Sequence, residues 1–246
     1  MKIPLLFSVA LVASASLASA KVTETFRQTY PLEANGTISL DNVNGDIEIV
    51  AWDKPEVALE AEKKAKTEAD LAKVTLEIDA TSSRLAIKTK YAKSGWFGSV
   101  TASVHYRLSV PAGARLEKID SVNSAITVTG VRGAVNIETV NGAIAANGLA
   151  SDTRLDSVNG SVAAEFATTT GVSRVKLDTV NGHATVTLPK GTGARIDADS
   201  VNGRISIDQA ITLGKAHRHS VTGQVGAGGP DISIDTVNGG ISIKEK

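Results

Sequence analysis

The segment DSVNGSV (156–162) returns along the chain as DTVNGHA (178–184), DSVNGRI (199–205) and DTVNGGI (235–241). Setting each copy on its valine aligns Val43, Val122, Val140, Val158, Val180, Val201, Val221 and Val237, and from Val122 onward the steps are 18, 18, 22, 21, 20 and 16 residues. Self-similarity at such a period marks stacked supersecondary units, none of which buries enough apolar surface to fold alone. The valine is followed by Asn44, Asn123, Asn141, Asn159, Asn181, Asn202 or Asn238, with Thr222 as the exception, and then by glycine, with Ser124 as the exception. A hydroxyl residue precedes the valine in every copy but the first, which carries Asn42.

Apolar residues stand three positions before the valine (Leu40, Ile119, Ile137, Leu155, Leu177) and four and six after it (Ile47 and Ile49, Ile126 and Val128). Spacing by two is strand spacing, so each unit reads as strand, N-G corner, strand. An N-G pair between strands otherwise closes a type I′ hairpin. A meander of hairpins gives no reason to place the same Asn once per unit. A parallel β-solenoid does, because identical residues of successive coils lie over one another about 4.8 Å apart. The expectation is an all-β parallel solenoid of 16–22 residues per turn, with Asn44, Asn123, Asn141, Asn159, Asn181, Asn202 and Asn238 stacked as an amide ladder. The corner glycines are expected to take the left-handed backbone conformation.

The chain opens with MKIPLLFSVALVASASLASA (1–20): one early lysine, an apolar run and a small-residue A-S-A end. That is the layout of a secretory signal peptide, and the run is too short and serine-broken for a transmembrane helix. No transmembrane segment is expected elsewhere. The 246 residues contain no cysteine, which excludes disulfides and a lipid-modified cysteine. Lys and Arg total 26 against 26 Asp and Glu, so no nucleic-acid partner is indicated.

The order of parts resembles one known family. GTISLDNVNGDIEIVAWD (36–53) is followed by a charged piece, then VHYRLSVPAGARLEKIDSVNSAITVTG (104–130) and the repeats. This is similar to the bacterial DUF4097 proteins, adhesin-like β-strand repeat proteins of unknown function. The resemblance implies a single-stranded, right-handed β-helix on an exported protein, and it implies no catalytic residues and no cofactor. The expected organisation is a signal peptide (1–20), a less regular β section (21–118) and a regular array (119–246).

Residues 60–73, EAEKKAKTEADLAK, are the one helical candidate, with Thr67 and Asp70 in capping-box spacing; the alternative is a charged loop. Trp96 and Phe97 lie between glycines in KSGWFGS (93–99). They either meet a ligand such as a sugar ring or fold back over an apolar edge. The sequence stops at ISIKEK directly after a repeat, an uncapped rung open to end-to-end self-association, with Lys244, Glu245 and Lys246 as charged guards.

Two positions before each valine stands Asp41, Asp120, Glu138, Asp156, Asp178, Asp199, His219 or Asp235. Stacked carboxylates repel by about 1 kcal/mol per pair even in water. The offset is a paired and solvated face using Lys118, Arg154, Arg174, Lys176 and Arg195, or a weakly held cation (Asp156, Asp178, Asp199, His219 and Asp235 being the candidate ligands), or a basic partner. Strict alternation puts the valines on that same outer face, so either a turn of the chain at the corner buries them, which is the expectation, or they form a partner-binding strip. His217 and His219 are two apart but lack further ligands. No nucleophile elbow, HExxH, P-loop or dinucleotide fingerprint is present. The expected role is a non-catalytic, exported envelope scaffold or adhesin-like protein, periplasmic rather than surface-bound, with an envelope protein or glycan as partner. The rival is a polysaccharide-binding or polysaccharide-acting β-helix protein, of which carboxylates on an outer face are a faint echo.

Overall fold

The structure, a computed structural model, describes residues 21–92, 102–208, 211–217 and 219–246. A long strand, β1 (Val22–Pro31), leads into the first strand–corner–strand rung, β2 (Thr37–Asp41) and β3 (Ile47–Trp52). Then come β4 (Glu56–Ala65), the one-turn helix α1 (Glu68–Leu71), the hairpin β5 (Val74–Ala80) and β6 (Arg84–Tyr91), and β7 (Ala102–Pro111). Four rungs follow: β8 (Arg115–Asn123) with β9 (Ile126–Thr129), β10 (Val135–Asn141) with β11 (Ile144–Leu149), β12 (Thr153–Asn159) with β13 (Val162–Phe166), and β14 (Arg174–Asn181) with β15 (Ala184–Leu188). The chain ends with the rung β16 (Ala194–Ser200) and β17 (Ile205–Ile207), the hairpin β18 (Ile211–His217) and β19 (Ser220–Val225), and the rung β20 (Asp231–Asn238) and β21 (Ile241–Glu245).

The strands before each corner form an eleven-stranded entry sheet, and those after it a ten-stranded exit sheet. Rung strands pair in parallel with like residues matched: Ile137 lies beside Leu155, Leu155 beside Leu177, and Ile144 beside Val162. The inward columns of both sheets meet in one core, where Ile119, Ile137, Leu155, Leu177 and Ile234 face Ile126, Ile144, Val162, Ala184 and Ile241, all buried. Each rung thus contributes two or three side chains per sheet to a continuous apolar column, and burial depends on the neighbours.

Three features differ from the sequence expectation. First, residues 60–65 of the helical candidate belong to strand β4, in which Val57, Leu59, Ala61 and Ala65 are buried and which lies antiparallel between β1 and β7. Helix survives only at Glu68–Leu71, where Thr67 Oγ1 accepts from Asp70 N at 3.1 Å and Leu71 is buried. Second, the copy at Val221 is not a rung. It lies in β19, antiparallel to both β18 and β16, so Thr222 pairs with Asp197 and faces no ladder position. Third, the last repeat is not at the end of the stack. The rung β20–β21 inserts between β14–β15 and β16–β17, hydrogen-bonded on both sides in both sheets. The C-terminal rung is therefore interior, which removes the basis for end-to-end association through it. The expected guards have other partners: Lys246 Nζ pairs with Glu165, and Glu245 Oε1 accepts from Gly191 N at 2.6 Å. The segment holding Trp96 and Phe97 lies outside the described residues. No helix among the described residues is long and apolar enough to cross a membrane.

Candidate functional site

Each corner is held by two hydrogen-bonded files. On the outside, Asn123 Nδ2 donates to Asn44 Oδ1 (2.7 Å), Asn141 to Asn123 (2.8 Å), Asn159 to Asn141 (2.9 Å) and Asn181 to Asn159 (2.8 Å). The file then follows the spatial rather than the chain order: Asn238 donates to Asn181 (2.8 Å) and Asn202 to Asn238 (2.9 Å). On the inside, the hydroxyl before the valine in four rungs donates to the corner carbonyl of the adjacent rung: Ser157 to Gly142 O (2.9 Å), Thr179 to Gly160 O (2.8 Å), Thr236 to Gly182 O (3.3 Å) and Ser200 to Gly239 O (3.0 Å). These hydroxyl residues are buried, so the bonds satisfy groups cut off from water. Asn42 does this work at the first rung, donating to Gly45 O and Val104 O, both at 3.0 Å.

Of the corner glycines Gly45 (φ 111°) and Gly142 (φ 154°) take the positive φ expected, and the later ones serve a different need. Gly160, Gly182, Gly203 and Gly239 are not in the left-handed region. A Cβ on Gly160 would meet Gly142 O at 1.9 Å, and one on Gly239 would meet Gly182 O at 1.7 Å. Close stacking of backbones excludes any side chain there.

Beside the corner, the outer face of the entry sheet carries parallel stripes. The parallel register sets Asp41 beside Asp120, then Glu138, Asp156, Asp178, Asp235 and Asp199 in an unbroken row. Lys88, in register with Asp41 on β6, ends the row and pairs with it (3.0 Å), and on the side away from the corner Lys118 pairs with Asp120 (2.9 Å), Arg154 with Asp156 (2.7 Å) and Lys176 with Asp178 (2.8 Å). Arg195 pairs instead with Asp231 (2.5 Å). Glu138, Asp199 and Asp235 have no ion pair among the described residues. Burial pushes the Asp156 carboxyl up to about 7, with Asp178 and Glu138 adding to the rise and Arg154 opposing it. Burial and then the charge of Asp178 raise Asp235 as well. Asp120 Oδ1 and Asp178 Oδ1 are shielded from solvent without a hydrogen-bond partner.

On the corner side of the acids runs the valine row, and it is exposed. Val122, Val140, Val158, Val180, Val237 and Val201 are between 38% and 61% accessible, contrary to the expectation that the chain buries them at the corner. The hydroxyl before each valine takes the inward position, and alternation leaves the valine outside. Acids and valines together line a groove of 1130 Å³ that runs the length of the stack and ends at His217 and His219.

A family model for Toastrack DUF4097 proteins matches residues 36–244, nearly the whole of this architecture. The chain belongs to that family. The Toastrack fold is shared with a "putative cell adhesion protein" from Clostridium sporogenes ATCC 15579, at 16% identity and a TM-score of 0.51, over 91% of this chain and 100% of that one. A "putative adhesin" from Bacteroides fragilis NCTC 9343 aligns at 12% identity and a TM-score of 0.40, over 91% of this chain and 97% of that one. A "putative lipid binding protein" from Parabacteroides distasonis ATCC 8503 aligns at 14% identity and a TM-score of 0.31, over 90% of this chain and 96% of that one. No curated protein matches the sequence significantly.

Two other constellations in the Toastrack chain invite chemistry and fail on geometry. Ser103 and His105, two apart on β7, meet Asp46 from the first corner: Ser103 Oγ is 3.3 Å from His105 Nε2, and Asp46 Oδ2 is 3.8 Å from Nδ1. The Asp46 backbone N–H donates to His105 Nδ1 at 3.2 Å. That assigns the neutral ring's proton to Nε2, which then donates to the serine instead of taking its proton, the reverse of a hydrolase triad. His217 and His219 sit at the groove's end, where His219 Nδ1 lies 3.3 Å from Gly203 O. Among the described residues no three His, Cys, Asp or Glu side chains converge as metal ligands, so Asp156, Asp178, Asp199, His219 and Asp235 are spread along the stack and do not form a cage.

Proposed function

We propose that this chain is an exported, non-catalytic envelope protein, adhesin-like or scaffolding, that binds its partner along the groove of the entry sheet. The observation that carries this is the exposed valine row. Isolated exposed valines need no explanation, but six in register beside a row of carboxylates form a continuous amphipathic track. The leader-like residues 1–20 support export, and the periplasm is the compartment this reading favours.

The test has two arms. N-terminal sequencing of the chain expressed in a bacterial host should find the mature protein starting near Lys21 in the periplasmic fraction. A labelled mature chain should bind isolated cell envelopes, and a Val140→Asp, Val158→Asp, Val180→Asp variant should lose that binding while keeping its β-sheet spectrum. Equal binding by both proteins rejects the groove.

One observation favours a polysaccharide-acting reading. The Asp156 carboxyl, raised to about 7, neighbours Asp178 in the adjacent strand. Rung spacing of about 4.8 Å is close to the carboxyl separation of about 5 Å used by retaining glycosidases. Release of reducing sugar from envelope polysaccharide, abolished by Asp156→Asn, would establish it; intact binding by that variant with no release from wild type favours the scaffold.

A further inference from the structure

Taking the groove as the binding face, as just proposed, its chemistry and repeat narrow the occupant. A second copy of the same face is disfavoured, because seven carboxylates on each copy would meet seven on the other. Four cations among the described residues pair with this row: Lys88 at its end, in register with Asp41, and Lys118, Arg154 and Lys176 on the side away from the valines. Among the described residues lining the groove none is Lys or Arg, and its two histidines stand at one end, so a partner covering the valines meets an acidic flank. The partner must therefore present an apolar stripe with cations along one side.

The repeat distance selects the partner's backbone. From Val122 through Val140, Val158, Val180 and Val237 to Val201 is five steps, or about 24 Å at the rung spacing of a parallel sheet. An α-helix laid along the stack repeats its apolar face every ~5.4 Å and covers that length with about 16 residues. It drifts by only about 0.6 Å per rung, or about 3 Å over the whole row. An extended strand presents same-face side chains every ~6.8 Å, about 2 Å more than a rung, so it skips rungs and cannot set one side chain on each successive valine. From this we infer that the groove is a docking track for a cationic amphipathic α-helix of another protein. Its leucine-type side chains lie on the valines and its Lys or Arg side chains reach Glu138, Asp235 and Asp199, the carboxylates left without an ion pair among the described residues.

The test uses the mature full-length chain and three fluorescent synthetic 18-residue probes, read by anisotropy at physiological salt. The first is a Lys/Leu peptide with apolar residues at helical spacing, the second has the same composition in strict alternation, and the third is a Glu/Leu helix. Only the first should bind, at least tenfold more tightly than the second. Val158→Ser, Val180→Ser should weaken it at least tenfold. Glu138→Gln, Asp235→Asn should weaken it and flatten its salt dependence. Val158→Thr, Val180→Thr, which keeps side-chain shape, serves if the serine pair does not fold. Equal binding of the helical and alternating peptides, or binding unaffected by both sets of variants, overturns the inference, as does no binding by the Lys/Leu helix. If that helix fails while the valine-to-aspartate variant still loses envelope binding, the occupant is wrong and the binding face stands. If both fail, the groove reading goes as well.

Discussion

At a corner, two neighbouring residues bear very different loads. Asn159 is exposed and exchanges one side-chain hydrogen bond with each neighbour, Asn141 and Asn181. Its replacement by alanine removes bonds that water partly replaces, so Asn159→Ala should cost about 1 kcal/mol in chemical denaturation. Gly160 makes no side-chain bond, yet a Cβ there would lie 1.9 Å from Gly142 O. Gly160→Ala must separate two backbones, and the loss should reach about 3 kcal/mol. Equal costs for the two substitutions would show that rung contact at the corner is looser than the structure has it. Asp156 makes a third prediction at this scale. Its folded pKa near 7 lies above the ordinary aspartate value, so between about pH 4 and pH 7 the folded chain keeps a proton that the unfolded chain has lost. Stability from this group is complete below the unfolded pKa and falls as pH rises to about 7. Glu60, Glu62, Asp70 and Asp231, held low by Arg27, Lys64, Lys73 and Arg195, act oppositely and only in more acidic solution. Thermal midpoints should therefore drop between pH 5 and pH 8, and Asp156→Asn should reduce the drop; an undiminished drop in that variant assigns the effect elsewhere.

At the scale of elements, the sequence showed what repeats and hid what interrupts. Strand, corner and strand were legible because Ile137, Thr139 and Asn141 recur as Leu155, Ser157 and Asn159 in matched register. The position of the last rung was not, since Leu177, Ile234 and Ala198 are interchangeable in the same apolar column and periodicity carries no order. The hairpin β18–β19 was masked by Ser220, Val221 and Gly223, which imitate a corner while pairing antiparallel. In β4 the alternation of Val57, Leu59 and Ala61 was present, but Glu and Lys between them gave the stretch a helical composition that burial between two strands overrode. The groove followed the same division. Its acidic row was evident from spacing, whereas the exposure of the valines depended on the hydroxyls turning inward to the glycine carbonyls. The inserted rung gives the element-scale prediction. Deleting Asp231–Lys246 leaves β14 and β16 each without a partner on the face that β20 occupies. Amide protection should then collapse in β16 and β17 and persist through β10 and β12. Native protection of β16 in the shortened chain would mean that β14 and β16 can pair directly.

Over the whole molecule, stability is a sum of contacts between adjoining rungs, and position in the stack sets the cost of a defect. Leu155 lies fully buried with Ile137 on one side and Leu177 on the other. Ile205 occupies the last strand of the exit sheet, is half-buried, and among the described residues has a rung neighbour only at Ile241. Leu155→Ala should cost about 2–5 kcal/mol, because the cavity is walled by two rungs whose parallel strands cannot collapse inward without breaking register. Ile205→Ala should cost less than half of that and leave the unfolding of the remaining stack unchanged. Urea titrations of the two variants decide between a column of nearest-neighbour rungs and a single indivisible core. In the first case the midpoint shift depends on how many neighbours the altered side chain touches, and in the second the two substitutions would differ only by the apolar area each removes.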